Sequence, residues 1–134
     1  MASIVIMLCT CQLSISETQL DALARTLSAV AMVESGGDPK VVNVAEDAVG
    51  ILQIRPIMVR DVNRILGEDR YSLADRTDVR SSCGMFATYC LWYWPDGTPE
   101  QWSRGWCGGP KGPSKACSLP YWRKVKAEIS RQRR

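Results

Sequence analysis

Residues 31–37 read Ala-Met-Val-Glu-Ser-Gly-Gly. One carboxylate closes an apolar run, and two glycines follow it. Upstream, Ser16 opens Ser-Glu-Thr-Gln, a capping box with Ser16 as N-cap and Gln19 at the third helical position. Leu20, Leu23, Leu27, Val30 and Ala31 then recur at three- and four-residue steps. That stripe predicts an amphipathic helix over about 16–35. Glu34 is the next position on the stripe, and Gly36 and Gly37 can supply the left-handed turn that ends a helix. The C-terminal end of a helix carries partial negative charge and disfavours an anion. Apolar surroundings disfavour the charged form as well. Both effects raise a carboxyl pKa, and a carboxyl that stays protonated near neutral pH is a general acid. The competing reading is a glutamate turned to solvent at a frayed helix end.

The rest of the chain must supply walls around that group. Residues 36–55 are rich in Gly, Asn, Asp and Val and read as irregular or short extended structure. Pro56 suits the first turn of a second helix that ends near Gly67. Residues 68–77 read as polar loop, and a third helix over about 78–93 carries Val79, Met85, Phe86, Tyr89 and Cys90 inward. Pro95-Asp-Gly is a turn. Thr98-Pro-Glu-Gln is a second capping box and opens a short helix to about 105. A loop, WCGGPKGPSKACSLP, leads to a last helix starting near Leu119 or Pro120. The expected class is mainly α (α+β), with a small irregular or β element after the first helix.

Composition removes whole classes of chemistry. With no histidine, there is no Ser-His-Asp triad, no Cys-His pair and no His-containing zinc site. The six cysteines lack Cys-x-x-Cys spacing, so no metal site is expected, and no cofactor either. Carboxylates, hydroxyls, amides and lysines remain. Cys83 and Cys90 share a helix, and seven residues rise about 10 Å there, too far for one disulfide. If bridges form, each of these two reaches Cys107 or Cys117, which suits an oxidising compartment. Free thiols are the equal alternative. At 134 residues the chain is long enough for one domain that buries about two-thirds of its unfolded surface. The first 15 residues, with a short apolar run and no preceding basic residue, read as a weak signal-like segment or a packed arm, and 16–134 as the domain. The apolar run is too short to span a membrane, so no stable membrane insertion is expected. The net charge is +3, and residues 123–134 hold six basic residues against one acid. That helix end reads first as a solvated terminus that suits the helix dipole.

Four motifs in order resemble lytic transglycosylases of the soluble, goose-type-lysozyme-like group. Glu34-Ser35-Gly36-Gly37 is similar to their Glu-Ser signature, and Gly50-Ile51-Leu52-Gln53-Ile54 to their Gly-Leu-Met-Gln-Ile segment. Trp106-Cys107-Gly108-Gly109-Pro110 sits where the group has an aromatic-Asn-Ala/Gly-Gly motif, and Tyr121 where it has a C-terminal active-site tyrosine. The resemblance spans about residues 18–126. It implies a lysozyme-like fold and a peptidoglycan substrate, with Glu34 protonating the β-1,4 glycosidic oxygen and Ser35, Gly50, Gln53, Trp106, Gly108 and Tyr121 at the substrate. A second carboxylate is not required where the substrate's N-acetyl group assists. Two departures stand out. Cys107 replaces the group's asparagine, and Arg55 stands where goose-type lysozymes carry an aspartate. Glu46 and Asp47 read as solvated loop charges rather than a second catalytic pair.

The resulting expectation is a monomeric peptidoglycan lytic transglycosylase acting outside the cytoplasm, at the cell wall, or delivered by a phage. A lysozyme-type hydrolase of the same bond, or a non-catalytic glycan-binding or structural protein on the same scaffold, are the alternatives. A third reading is nucleic-acid binding through Arg123, Lys124, Lys126, Arg131, Arg133 and Arg134 with Trp122 nearby. One short basic cluster is a thin footprint, and no nucleic-acid partner is expected.

Overall fold

The computed structural model describes residues 4–8 and 11–134, with residues 4–14 as backbone only. Two strands, β1 (Ile4–Leu8) and β2 (Cys11–Ile15), pair antiparallel with Ile4 opposite Ile15 and Leu8 opposite Cys11. The sequence reading did not anticipate this hairpin. The rest of that segment, residues 1–3, 9 and 10, lies outside the described residues.

Helix α1 (Glu17–Ser35) begins at the expected N-cap, where the Ser16 hydroxyl accepts from the Gln19 N–H at 3.2 Å. The box is one-sided. The Gln19 side chain donates instead to the Pro95 carbonyl, tying the start of α1 to the turn before a later helix. Along the predicted stripe Leu23, Val30 and Ala31 are buried, and Leu20 and Leu27 are partly buried against the core. Gly36 and Gly37, at φ 66° and 81°, end the helix, their N–H groups donating to Met32 and Ala31 at 3.0 and 3.3 Å. The connection that follows carries two short strands, β3 (Val42–Asn43) and β4 (Ala48–Val49), paired antiparallel. A bridge between Val49 and Ile54 closes the loop against the next element.

Helix α2 (Pro56–Leu66) starts on Pro56 and stops at left-handed Gly67, as its sequence predicts. The expected polar loop over 68–77 holds instead a 3-10 helix, Leu73–Thr77. Ser72 and Asp75 cap it reciprocally, so the side chains of a loop-like sequence supply the missing backbone partners. Helix α3 (Val79–Tyr93) buries Met85, Phe86, Tyr89 and Cys90, but Val79, its first residue, is 42% exposed. Helix α4 (Pro99–Gly108) has the predicted Thr98–Gln101 box, both halves made. It continues three residues beyond the expected end and takes in Trp106, Cys107 and Gly108. Trp106 is why: it is buried against Phe86 and Tyr89, with ring centroids at 4.9 and 5.6 Å. Two 3-10 turns, Gly112–Ser114 and Ala116–Ser118, precede α5 (Leu119–Gln132), which packs along α1. Cys83, Cys90, Cys107 and Cys117 are all free thiols, so the reading with cross-links is not the state described.

The β3–β4 connection is held to the helices by one buried cation. Arg76 is 7% exposed. Its Nη1 donates to the carbonyls of Asp47 and Ile54 at 2.8 and 3.2 Å and to the Asp47 carboxylate at 3.2 Å, and its Nε donates to Leu73. Its carbonyl accepts from Ser82 of α3 at 3.2 Å. Gly50, at φ 88°, passes directly over that carbonyl, and a Cβ there would sit 1.9 Å from the Arg76 oxygen. The clash is with backbone, which cannot rotate away. Gly50→Ala is therefore expected to cost about 2–4 kcal/mol, from strain and overpacking together. Urea unfolding checks this: the midpoint should fall without a change in slope.

Candidate active site

Glu34 lies in the last turn of α1, partly buried, where the helix meets α5. The Tyr121 hydroxyl, from the first turn of α5, donates to Glu34 Oε1 at 2.7 Å. Burial raises the Glu34 pKa above the ordinary carboxyl value. The Tyr121 hydrogen bond and the Arg55 charge pull it down, and the Glu46 charge pushes it up. Burial outweighs them, and the proton is held more tightly than in water. Tyr121 is itself pushed well up, by burial first and then by the Glu34 charge, so it remains a donor.

Glu34 opens into a cleft of about 600 Å³, within the range of small-ligand sites. Gln53, Trp106, Gly108 and Tyr121 line it with Glu34. Gln53 comes from the β4–α2 connection, where its backbone takes the left-handed conformation at φ 51°. That is uncommon for a residue with a side chain. Its amide nitrogen donates to the Val41 and Gly50 carbonyls, both at 3.0 Å, so the side chain braces the loop while it faces the cleft. Trp106 is 7% exposed, and its Nε1 donates to the Leu52 carbonyl at 3.2 Å, joining α4 to the same loop.

Ser35 and Gly50 are not among the cleft-lining residues. The Ser35 hydroxyl is directed at the Ala31 and Ile51 carbonyls, at 3.1 and 2.7 Å. It fastens the 50–54 loop to the end of α1. The close approach at Gly50 is to the protein's own Arg76 carbonyl.

Other lining groups were not singled out from sequence as substrate contacts. Asn43, Ile57, Met58 and Lys115 join the walls. Lys115 holds the Gly108 carbonyl at 2.9 Å. Arg55 and Glu46 also line the cleft and form an ion pair at 2.7 Å. Glu46 is thus ion-paired while it stays exposed in its turn, in keeping with a solvated loop charge. Asp47 is held by Arg76 and does not line the cleft. Cys107 lines the cleft where its resemblance motif calls for an amide, its thiol pushed up by burial and by the Glu34 charge. The pattern of residue types carried no signal for Arg76, the buried anchor of one wall.

Residues 14–104 match the family described as Transglycosylase SLT domain. The chain belongs to that family. Its helical body with a small antiparallel sheet is the lysozyme-like fold, and its general function is of the lytic transglycosylase type, on peptidoglycan. No curated protein matches the chain. The matched span of the SLT domain ends before Trp106, Gly108 and Tyr121, which reach the cleft through the fold. Among the described residues no helix is long and apolar enough to cross a membrane.

Two outcomes follow from the Glu34 environment. Tyr121→Phe removes a bond that favours the carboxylate. The Glu34 titration, followed by carboxyl carbon chemical shift, should therefore move further up in pH. Glu34→Gln tests the effect of burial through stability. A raised folded-state pKa means the folded state binds the proton more tightly, so stability declines as pH rises from the unfolded carboxyl range through the folded value. The Tm difference between Glu34→Gln and the parent should be small at pH 4 and grow in favour of the glutamine by pH 8. A difference that shrinks with pH would show that the carboxylate form is the favoured one.

Proposed function

We propose that this SLT domain is a lytic transglycosylase that breaks the β-1,4 MurNAc–GlcNAc bond with Glu34 as its single acid/base. The observation that carries the reading is the isolation of Glu34. Of the two carboxylates lining the cleft among the described residues, Glu46 is paired with Arg55, whereas Glu34 is partly buried, has a raised pKa and accepts from the Tyr121 phenol.

In this mechanism protonated Glu34 gives its proton to the glycosidic oxygen as the C1–O bond breaks. The Tyr121 hydroxyl stabilises the carboxylate left behind. The substrate's N-acetyl oxygen supports the positive charge at C1, as in substrate-assisted glycosidases. The Glu34 carboxylate then takes the proton of the C6 hydroxyl, whose oxygen closes on C1. The product is a 1,6-anhydro sugar, Glu34 is protonated again, and no water is consumed. Gln53, Trp106, Gly108 and Tyr121 are the proposed substrate contacts. Gln53 adds an amide suited to an N-acetyl group, and Trp106 an apolar wall. Ser35 and Gly50 are assigned positioning roles, through the loop that presents Gln53. The protein acts as a monomer, facing the cell wall by secretion or phage delivery.

A second reading rests on Cys107: with a thiol where the motif has an amide, the scaffold would bind glycan without cutting it. One digest separates the readings. Purified peptidoglycan is treated with the parent and with Glu34→Gln, and soluble muropeptides are weighed by mass spectrometry. Fragments one water lighter than hydrolysis products are expected from the parent, with a loss of at least about 100-fold in the variant, which has no proton to give. Reducing-end products would make the enzyme a hydrolase, and glycan binding without fragments would favour the scaffold. With the parent, kcat/KM should fall as pH rises through the elevated Glu34 pKa, because the protonated form is the reactive one.

A further inference from the structure

Cys107 and Cys117 are both exposed, and they lie on two segments already fastened together. On α4, residues 104, 107 and 108 share one face, since they are three and four residues apart. The segment opposite that face is 115–118. Arg104 Nε donates to Ser118 Oγ at 2.8 Å, and Arg104 Nη2 donates to the Lys115 carbonyl at 2.9 Å. Lys115 Nζ donates back to the Gly108 carbonyl at 2.9 Å. A Cβ at Gly108 would stand 3.7 Å from the Ser118 Cβ, in van der Waals contact. Residue 117 sits between two residues that touch this face, and residue 107 sits between the two that they touch. The other two thiols of the helical body are placed differently. Cys90 is fully buried, and Cys83 lies seven residues before it on α3.

We propose that Cys107 and Cys117 are a dithiol–disulfide pair that cross-links the end of α4 to the 3-10 turn before α5, along one wall of the cleft. The chemistry is thiol–disulfide exchange with a small disulfide oxidant such as glutathione disulfide. One cysteine thiolate attacks a sulfur of the oxidant and forms a mixed disulfide, releasing one glutathione thiolate. The second cysteine thiolate attacks the protein sulfur of that mixed disulfide and releases the other glutathione. Two thiols lose two protons and two electrons, one S–S bond forms, and the oxidant is reduced to two thiols. The electrostatics agree with proximity: Cys117 is among the groups that raise the Cys107 thiol. The bridge closes residues 107–117 into a ring that includes Gly108, Gly109 and Lys115 of the cleft wall and leads directly into Tyr121. Oxidation would therefore stiffen the wall that faces Glu34. The inference does not rest on the glycan reading, because no substrate enters its test.

Trypsin cuts after Arg104, Lys111, Lys115 and Arg123, and places the two cysteines in separate peptides, 105–111 and 116–123. The full chain is equilibrated in glutathione buffers of graded ratio, alkylated, digested without reductant and weighed. The expected result is a linked 105–111/116–123 species that rises with oxidant in one two-electron transition. In Cys117→Ser that species should be lost, with peptide 105–111 recovered as the alkylated thiol at reducing ratios and as its glutathione mixed disulfide at oxidising ones. Circular dichroism of both forms confirms that they are folded. Alkylation of Cys107 at every ratio overturns the proposal. So does recovery of Cys107 only as a glutathione adduct, or bridged to the peptide that holds Cys83 and Cys90.

Discussion

A carboxyl group at the C-terminal end of a helix, removed from water, is an unfavourable arrangement that the surrounding structure has to maintain. The helix dipole and the apolar walls both act against the charged form. If the wall around Glu34 loosened, more water would reach it and the carboxyl would move back toward its ordinary behaviour. Rigidity around Glu34 is therefore the constraint that organises the domain. Three segments distant in sequence provide it. Tyr121 reaches Glu34 from α5, Ser35 fixes the 50–54 loop to the end of α1, and Trp106 fixes the same loop to α4.

The loop that carries Gln53 has little regular structure of its own. β3 and β4 are two residues each, and such a short hairpin is marginal by itself. Its shape comes from buried polar contacts. Arg76 donates to two loop carbonyls and pairs with Asp47, while Gly50 passes close over the Arg76 backbone. A buried guanidinium left without these partners would be costly. The loop and the Leu73–Thr77 turn therefore hold each other in place. The left-handed backbone at Gln53 follows from the same closure, and its side chain secures the turn by bonding to Val41 and Gly50.

Electrostatics decide how the cleft's charges divide. Arg55 takes Glu46 as its partner at 2.7 Å and only moderates Glu34 from a distance. Glu46 is held in an ion pair at the exposed side of the cleft, and Glu34, partly buried, is left to hold its proton. In the proposed mechanism that difference of environment lets Glu34 serve as the acid without a second catalytic carboxylate.

Local rules made much of the helical frame legible. Ser16, Thr98, Pro56, Gly36 and Gly67 mark helix ends by backbone chemistry that needs no distant partner. The three- and four-residue spacing of Leu20, Leu23, Leu27, Val30 and Ala31 declares the face turned to the core. It also placed Glu34 at the edge of that face. Other features depended on contacts across the chain. The Gln19 side chain left its capping box for Pro95, and α4 ran on through Trp106 because α3 offers that ring Phe86 and Tyr89. Arg76 looked like any surface arginine, because a buried cation is defined by the carbonyls folded around it. Ser35 and Gly50 carried the right motif, but tertiary structure turned one toward Ile51 and the other toward Arg76, away from the cleft. The sequence by itself determined the helices, most of their ends and the position of one carboxylate, since those follow from periodicity and capping. Only the tertiary structure decided which polar groups face the cleft and which brace it, because that depends on partners as many as 87 residues away.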